Sequence, residues 1–446
     1  MRSRTPCAAW RELVRLRASR SSLGAWAIPL LFLTFGMGIP ITFALGLTSL
    51  VMLAYQDVPP VVLAQQMYGG VDSFPLMAVP FFILAGELMT GGGISRRLVA
   101  LAQAMVGHVR GGLAHVCTVS SMFFAGVSGS AIADTAAVGA LTIPAMVEKG
   151  YSKSFAASLS ACAGSIGPVI PPSIPMVIFG VIAGVSIGKL FMGGAVPGVL
   201  MGVSLMVMTH IIARRRGYRG GGGFSWSVVG LAARDAALAL VMPIIIVGGI
   251  MSGFFTATES GVVAVVYALL VGRFVYRELR WDRIFHHCIE SAIVSGTILM
   301  VISVASLFTW LITNEQVPQH VAGYLIGLTK TPWVMLLLIN VLLLIVGTFI
   351  DTLSALIIFS PLLLPVVEAM GIDPVHFGII VVVNLTIGMC TPPLGVCLFV
   401  SSGIAKVSLS EMLGDLWPML IALIVILVVV TYIPQTVLFL PNLLIK

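Results

Sequence analysis

Gly167-Pro168-Val169-Ile170-Pro171-Pro172 and Gly388-Met389-Cys390-Thr391-Pro392-Pro393 decide how this chain is read. Both spell Gly-x-x-x-Pro-Pro in the middle of a long apolar run. Proline lacks an N–H and clashes with the preceding turn, so each pair interrupts a helix and frees the carbonyl oxygens before it. At membrane depth such backbone is tolerated only where protein or a wet cavity satisfies it. A chain that does this twice is predicted to be a polytopic helical protein with an internal repeat.

Working outward, Gly150 and Gly371 each precede their Pro-Pro pair by 21 residues, and Asp134 and Asp351 each precede a proline, Pro144 and Pro361, by ten. The segments 111–149 and 333–370 have small and polar centres with a lone Asp. At about 1.5 Å per residue their arms are too short to cross a ~30 Å hydrocarbon core fully, so they read as re-entrant hairpins. The pattern of hairpin, Gly and interrupted span (153–185, then 376–403) therefore occurs twice.

Composition agrees. Of 446 residues 59% are hydrophobic and 9% charged, and the mean hydropathy is +1.09. A soluble surface needs about a quarter charged residues, so an ordinary soluble enzyme is excluded. Continuous rather than alternating apolar runs exclude a transmembrane β-barrel. Forty-seven glycines and 24 prolines fit broken helices. The net charge of +7 reports topology and gives no reason to expect nucleic acid. The six cysteines show no metal-ligand spacing and read as buried thiols.

The remaining spans are placed at 24–55, 74–90, 193–213, 235–253, 258–276, 293–313 and 418–438. Amphipathic stretches at 59–68, 95–107, 281–290, 316–329 and 408–416 read as lying in the interface. If 24–55 crosses twice, fifteen Lys and Arg between Arg96 and Lys406 share one side, which is then cytoplasmic; only Lys189, Lys330 and Lys446 oppose them. The six arginines of residues 2–20 then fall outside, a conflict that a single crossing or a start residue placed too early would remove; two crossings are expected, because repeats of opposite orientation need an odd number of crossings in each half. The expected fold is all-α, an inverted repeat with two re-entrant hairpins and two interrupted helices. It divides into a basic tail (1–22), a first repeat (23–213), a cytoplasmic linker (214–234) and a second repeat (235–440).

Unpaired carbonyls in a low-dielectric site suit a hard alkali cation, and half-helix N-termini suit anions. The alternative is a proline kink re-satisfied by hydroxyls or water. Intramembrane Asp134 and Asp351 point to an ion pathway or to capping of each hairpin's second helix. Ser128-Gly129-Ser130 offers hydroxyls and open backbone at the first tip. Glu87 and Glu259 read as structural pairing groups.

The motifs Gly70-Val71-Asp72-Ser73-Phe74, Pro80-Phe81-Phe82-Ile83-Leu84-Ala85-Gly86, Ser128-Gly129-Ser130-Ala131, Pro171-Pro172-Ser173, Gly371-Ile372-Asp373-Pro374-Val375-His376-Phe377-Gly378 and Thr391-Pro392-Pro393-Leu394-Gly395 resemble the large membrane subunit of the tripartite ATP-independent periplasmic (TRAP) transporters. The resemblance runs from about residue 36 to 440. It implies an elevator-type secondary transporter of the ion-transporter superfamily in the bacterial inner membrane, driven by Na+, with no catalytic residues and no cofactor. It also implies a small four-helix membrane subunit, a periplasmic substrate-binding protein and organic-acid substrates. The cation sites it implies are Ser128, Gly167, Ile170 and Pro172 in the first half, and Gly347, Gly388, Thr391 and Leu394 in the second. Ser130, Asp134, Ser173, Asp351 and Thr352 are the implied substrate-side and tip residues. Ile170 stands where the second half has Thr391, a change that a backbone ligand survives.

Three rival readings are kept. Gly126-Val127-Ser128-Gly129 with His210 would make an intramembrane serine protease, for which an internal repeat has no purpose. A stand-alone anion symporter of related fold would need no binding protein. Proton coupling through Asp134 and Asp351 would replace sodium.

Overall fold

The computed structural model describes residues 23–56 and 58–445; the basic tail at 1–22 lies outside them. All regular structure among the described residues is helical, and nine helices there are long and apolar enough to cross a membrane. Three of them are hairpin arms, Ala131–Glu148, Pro332–Phe349 and Thr352–Ala369, so the expectation that arm length alone keeps the hairpins from crossing is corrected.

Both hairpins form. Helices Gly112–Ser128 and Ala131–Glu148 meet at a two-residue turn, and so do Pro332–Phe349 and Thr352–Ala369. Both interrupted spans form as well: Lys153–Gly164 and Ile174–Ala183 flank the first loop, Pro374–Gly388 and Val396–Ala405 the second. Each half-helix before a loop packs on its own hairpin. Each half-helix after a loop packs on the second arm of the other repeat's hairpin, Ile174–Ala183 against Thr352–Ala369 and Val396–Ala405 against Ala131–Glu148. The repeats are thus interlocked. Phe179 and Phe377 cross edge-to-face at 6.2 Å on this seam, an arrangement worth about 0.5–1.5 kcal/mol beyond burial. The two hairpins differ in that the arms of the first pack along their length, whereas those of the second meet sparsely.

Helix caps reveal the register of the repeat. The hydroxyl of Ser130 accepts from Ala133 N (3.4 Å) and the carboxylate of Asp351 from Ser354 N (3.0 Å), so these two residues hold the same place. They are 221 residues apart, as are Gly150 and Gly371, Gly167 and Gly388, and Pro171 and Pro392. The sequence pairing of Asp134 with Asp351 is therefore one helical turn out of step. Asp134 lies inside the first turn of its helix, and the proline matching Pro144 is Pro365. Between the Pro-Pro pairs and the following half-helix the second repeat carries one extra residue, because the N-caps there are Ser173 and Gly395.

Two expected interfacial stretches are corrected. Residues 281–290 are the first turns of a continuous helix, Trp281–Asn314, and residues 408–416 run into Leu409–Tyr432. The 34-residue helix is about 51 Å long at 1.5 Å per residue. It outruns a ~30 Å hydrocarbon core, so its polar end needs no break to leave the membrane. It packs on Ile41–Tyr55, Val61–Val71 and Ala78–Gly91, forming a layer beside the interlocked hairpins and interrupted spans.

Candidate cation site at the hairpin tips

The first tip is built by Gly129, whose φ of +60° turns the chain in a region closed to most L-residues. A Cβ there would stand 2.8 Å from the carbonyl oxygen of Pro172, so the turn lies directly on the first interrupted loop. Ser128 Oγ donates to Asp134 Oδ1, and Ser130 N donates back to Ser128 Oγ at 3.2 Å. Asp134 is fully buried, and its Oδ2 has no hydrogen-bond partner. That oxygen faces Gly167, where any Cβ would collide with it. Ser173 closes the loop, donating to Pro168 O and accepting from Met176 N (3.3 Å) to cap Ile174–Ala183. Ser128, Ser130, Asp134, Gly167, Pro172 and Ser173 therefore converge. Ile170 shares the loop, but its side chain turns toward Gly198.

In the second half the tip and loop touch backbone to backbone. A Cβ on Gly388 would lie 2.6 Å from the Cα and carbonyl carbon of Gly347. Gly395 N donates to Thr348 O (3.3 Å) and Thr352 Oγ1 to Met389 Sδ (3.0 Å). Thr391 Oγ1 is engaged with Ile387 O at 2.9 Å, and the Leu394 side chain is exposed. This loop opens outward at Pro393 and Leu394, whereas the first is buried apart from half-buried Ile170. The half-helix after the second loop starts at Gly395 with no side-chain cap; its first N–H groups are met by backbone instead, Cys397 N donating to Met389 O at 3.1 Å.

The protease reading does not assemble. Ser128 is bonded to Asp134, and the ring of His210 lies 6.0 Å from that of His115. Glu87 pairs with His287 (3.5 Å) and Glu259 closes a capping box with Thr256. Sequence reasoning missed a buried amide network beside the second loop. Asn384 Nδ2 donates to Asn340 O (2.9 Å) and Oδ1 (2.8 Å), and Asn340 Nδ2 donates to Thr431 Oγ1 (2.9 Å). Two amides inside apolar runs were a readable signal.

Residues 28–436 match the family model described as "Tripartite ATP-independent periplasmic transporter, DctM component". The chain belongs to this family. It is 44% identical over 92% of its length to the isethionate TRAP transporter permease protein DctMQ of Oleidesulfovibrio alaskensis, of which it spans 66%. It is 41% identical to the sialic acid TRAP transporter large permease protein SiaM of Vibrio cholerae, over 91% of this chain and 95% of that one. It is 39% identical to the C4-dicarboxylate TRAP transporter large permease protein DctM of Rhodobacter capsulatus, over 91% and 96%. The fold resembles the Alcanivorax borkumensis YdaH transporter, with a TM-score of 0.60 at 17% identity, covering 85% of this chain and 88% of that one. It also resembles Neisseria gonorrhoeae MtrF, with a TM-score of 0.55 at 14% identity, covering 83% and 84%. The protein is a TRAP large permease, a multi-pass protein of the bacterial inner membrane and not an enzyme.

Proposed function

We propose that this TRAP permease is the translocating subunit of a sodium-driven importer of organic carboxylates. The observation that carries the reading is the fully buried Asp134, with one oxygen held by Ser128 and the other unpartnered against Gly167. A buried carboxylate is costly unless paired. A Na+ held by Asp134 Oδ2, Ser128 and loop carbonyls from Gly167, Ile170 and Pro172 would pair it. The second cation site uses Gly347, Gly388, Thr391 and Leu394 through backbone oxygens. Ser130, Asp351 and Thr352 lie at the hairpin tips and Ser173 at the N-terminus of Ile174–Ala183, and helix N-termini gathered there favour a substrate carboxylate. Crevices of about 490 and 420 Å³ border Ile174–Ala183, one lined by Phe74, Ile250 and Thr258 and the other by Gln66, Ser306 and Trp310. Such seams support movement of the interlocked hairpins and interrupted spans against the layer around Trp281–Asn314.

Relatives named for isethionate, sialic acid and C4-dicarboxylates support an organic acid as substrate. Partners follow from the family's tripartite description: a small four-helix membrane subunit and a periplasmic substrate-binding protein. The one-third of the DctMQ relative that this chain does not span supports the first of these. Proton coupling is the second reading, favoured by the same burial of Asp134, since protonation also neutralises it. Uptake into proteoliposomes containing both partners, with a sodium gradient imposed at fixed pH, tests the proposal. Uptake that follows the proton gradient and ignores sodium would replace the first reading with the second.

A further inference from the structure

We propose that Glu87, His287 and Glu290 form a binding site for a divalent metal of the Zn2+ class, joining Ala78–Gly91 to Trp281–Asn314. Glu87 lies near the end of Ala78–Gly91; His287 and Glu290 lie one turn apart near the start of Trp281–Asn314. One ligand atom from each falls within 4.8 Å of the other two. His287 Nδ1 is 3.5 Å from Glu87 Oε2 and 3.8 Å from Glu290 Oε2, and it is buried without a hydrogen-bond partner. Tetrahedral zinc with bonds near 2.0–2.1 Å sets its ligands about 3.3 Å apart; the two distances from His287 Nδ1 are within about half an ångström of that, and the two exposed carboxylates close on each other by turning their side chains.

The surroundings are arranged for this. The imidazole is pressed onto Gly91, where any Cβ would collide with Nε2, and this seating directs Nδ1 toward the two carboxylates. Glu290 Oε1 is held by His286 Nε2 at 3.1 Å, the kind of outer contact that orients a ligating carboxylate. Both carboxylates are partly exposed, at 38% and 47%, leaving an entry path and room for a bound water. One imidazole with two carboxylates is a mixed nitrogen and oxygen set that accepts Zn2+ and offers no thiolate to draw Cu+. Two carboxylates this close repel unless a cation lies between them. A proton on His287 is the competing occupant.

The test uses the full chain, purified with its small partner subunit on a histidine-free tag. After Zn2+ loading and dialysis, metal is counted by mass spectrometry, and Co2+ loading is read from its visible absorption. One equivalent per chain is expected, with an intense tetrahedral Co2+ band. His287→Ala and Glu87→Gln should each weaken retention at least tenfold. Gly91→Ala, which removes no ligand but displaces the ring, should weaken it as well. A shared unfolding temperature for wild type and Glu87→Gln without metal shows that the loss is not misfolding. Retention well below one equivalent, or retention equal in wild type and His287→Ala, overturns the proposal and leaves a protonated His287 between the carboxylates.

Discussion

Ser128 donates its hydroxyl to the carboxylate of Asp134 across the first hairpin tip, which turns the other oxygen of Asp134 onto the bare Cα of Gly167. An Asn at 134 still accepts from Ser128 but carries no charge. Asp134→Asn is therefore expected to abolish sodium-driven uptake while the protein inserts normally. Ser128→Ala should raise the sodium concentration for half-maximal uptake about tenfold, since a charge-assisted hydrogen bond is worth ~1.5–3 kcal/mol and tenfold is ~1.4. Initial uptake rates against sodium at fixed pH measure both. If neither variant changes the sodium dependence, the coupling ion binds elsewhere.

The contact between Gly347 and Gly388 makes a graded prediction. A methyl on Gly388 meets backbone at 2.6 Å, which has no rotamer by which to move away; on Gly347 the nearest backbone is at 3.2 Å. Gly388→Ala should cost roughly 1–3 kcal/mol and reduce uptake below a tenth of wild type. Gly347→Ala should be milder. Gly403→Ala, with nothing within 4 Å of its Cβ, should behave as wild type. Equal effects at Gly388 and Gly403 would dismiss the close approach as the cause.

Asp351 caps the second hairpin's inner helix through Ser354 N. Asparagine caps equally well, so Asp351→Asn should retain stability and sodium dependence, while Asp351→Ala should lose about 1 kcal/mol, read as a lower unfolding temperature. Were Asp351→Asn to remove gradient-driven uptake and spare exchange, the carboxylate itself would carry the coupling ion.

Topology is tested by labelling. The clustering of positive charge predicts that the outer ends of the first hairpin face the cytoplasm and those of the second the periplasm. Glu148 and Ala369 are both exposed. In a cysteine-free background, Ala369→Cys should react with an impermeant thiol reagent in whole cells, and Glu148→Cys should react only after permeabilisation. The opposite pattern would invert the whole assignment.

Much of this molecule was readable along the chain. Gly167 to Pro172 and Gly388 to Pro393 mark their own breaks, because a proline pair cannot continue a helical ladder wherever it sits. The hairpin turns at Gly129 and Ile350-Asp351 were legible for a similar reason, since small polar residues interrupt apolar arms. The misread ends at 281–290 and 408–416 show where local composition fails. Asp282, His286 and Glu411 argue against lipid, yet a helix continues through the interface as long as its backbone ladder is intact. The pairing of Asp134 with Asp351 failed because equal spacing to a proline does not determine which residue caps a helix.

The sequence by itself determined the class of the protein, its two broken units and their repetition, because those depend on apolar length and on backbone donors removed one residue at a time. Only the tertiary structure decided how the units interlock, each repeat's second half-helix seating on the other's hairpin. It also decided that Asp134 lies buried with one oxygen free while Asp351 is a cap, and that Asn340, Asn384 and Thr431 join across three helices. Burial and hydrogen-bond partners across such distances in the chain are settled by packing, which no local pattern of residues encodes.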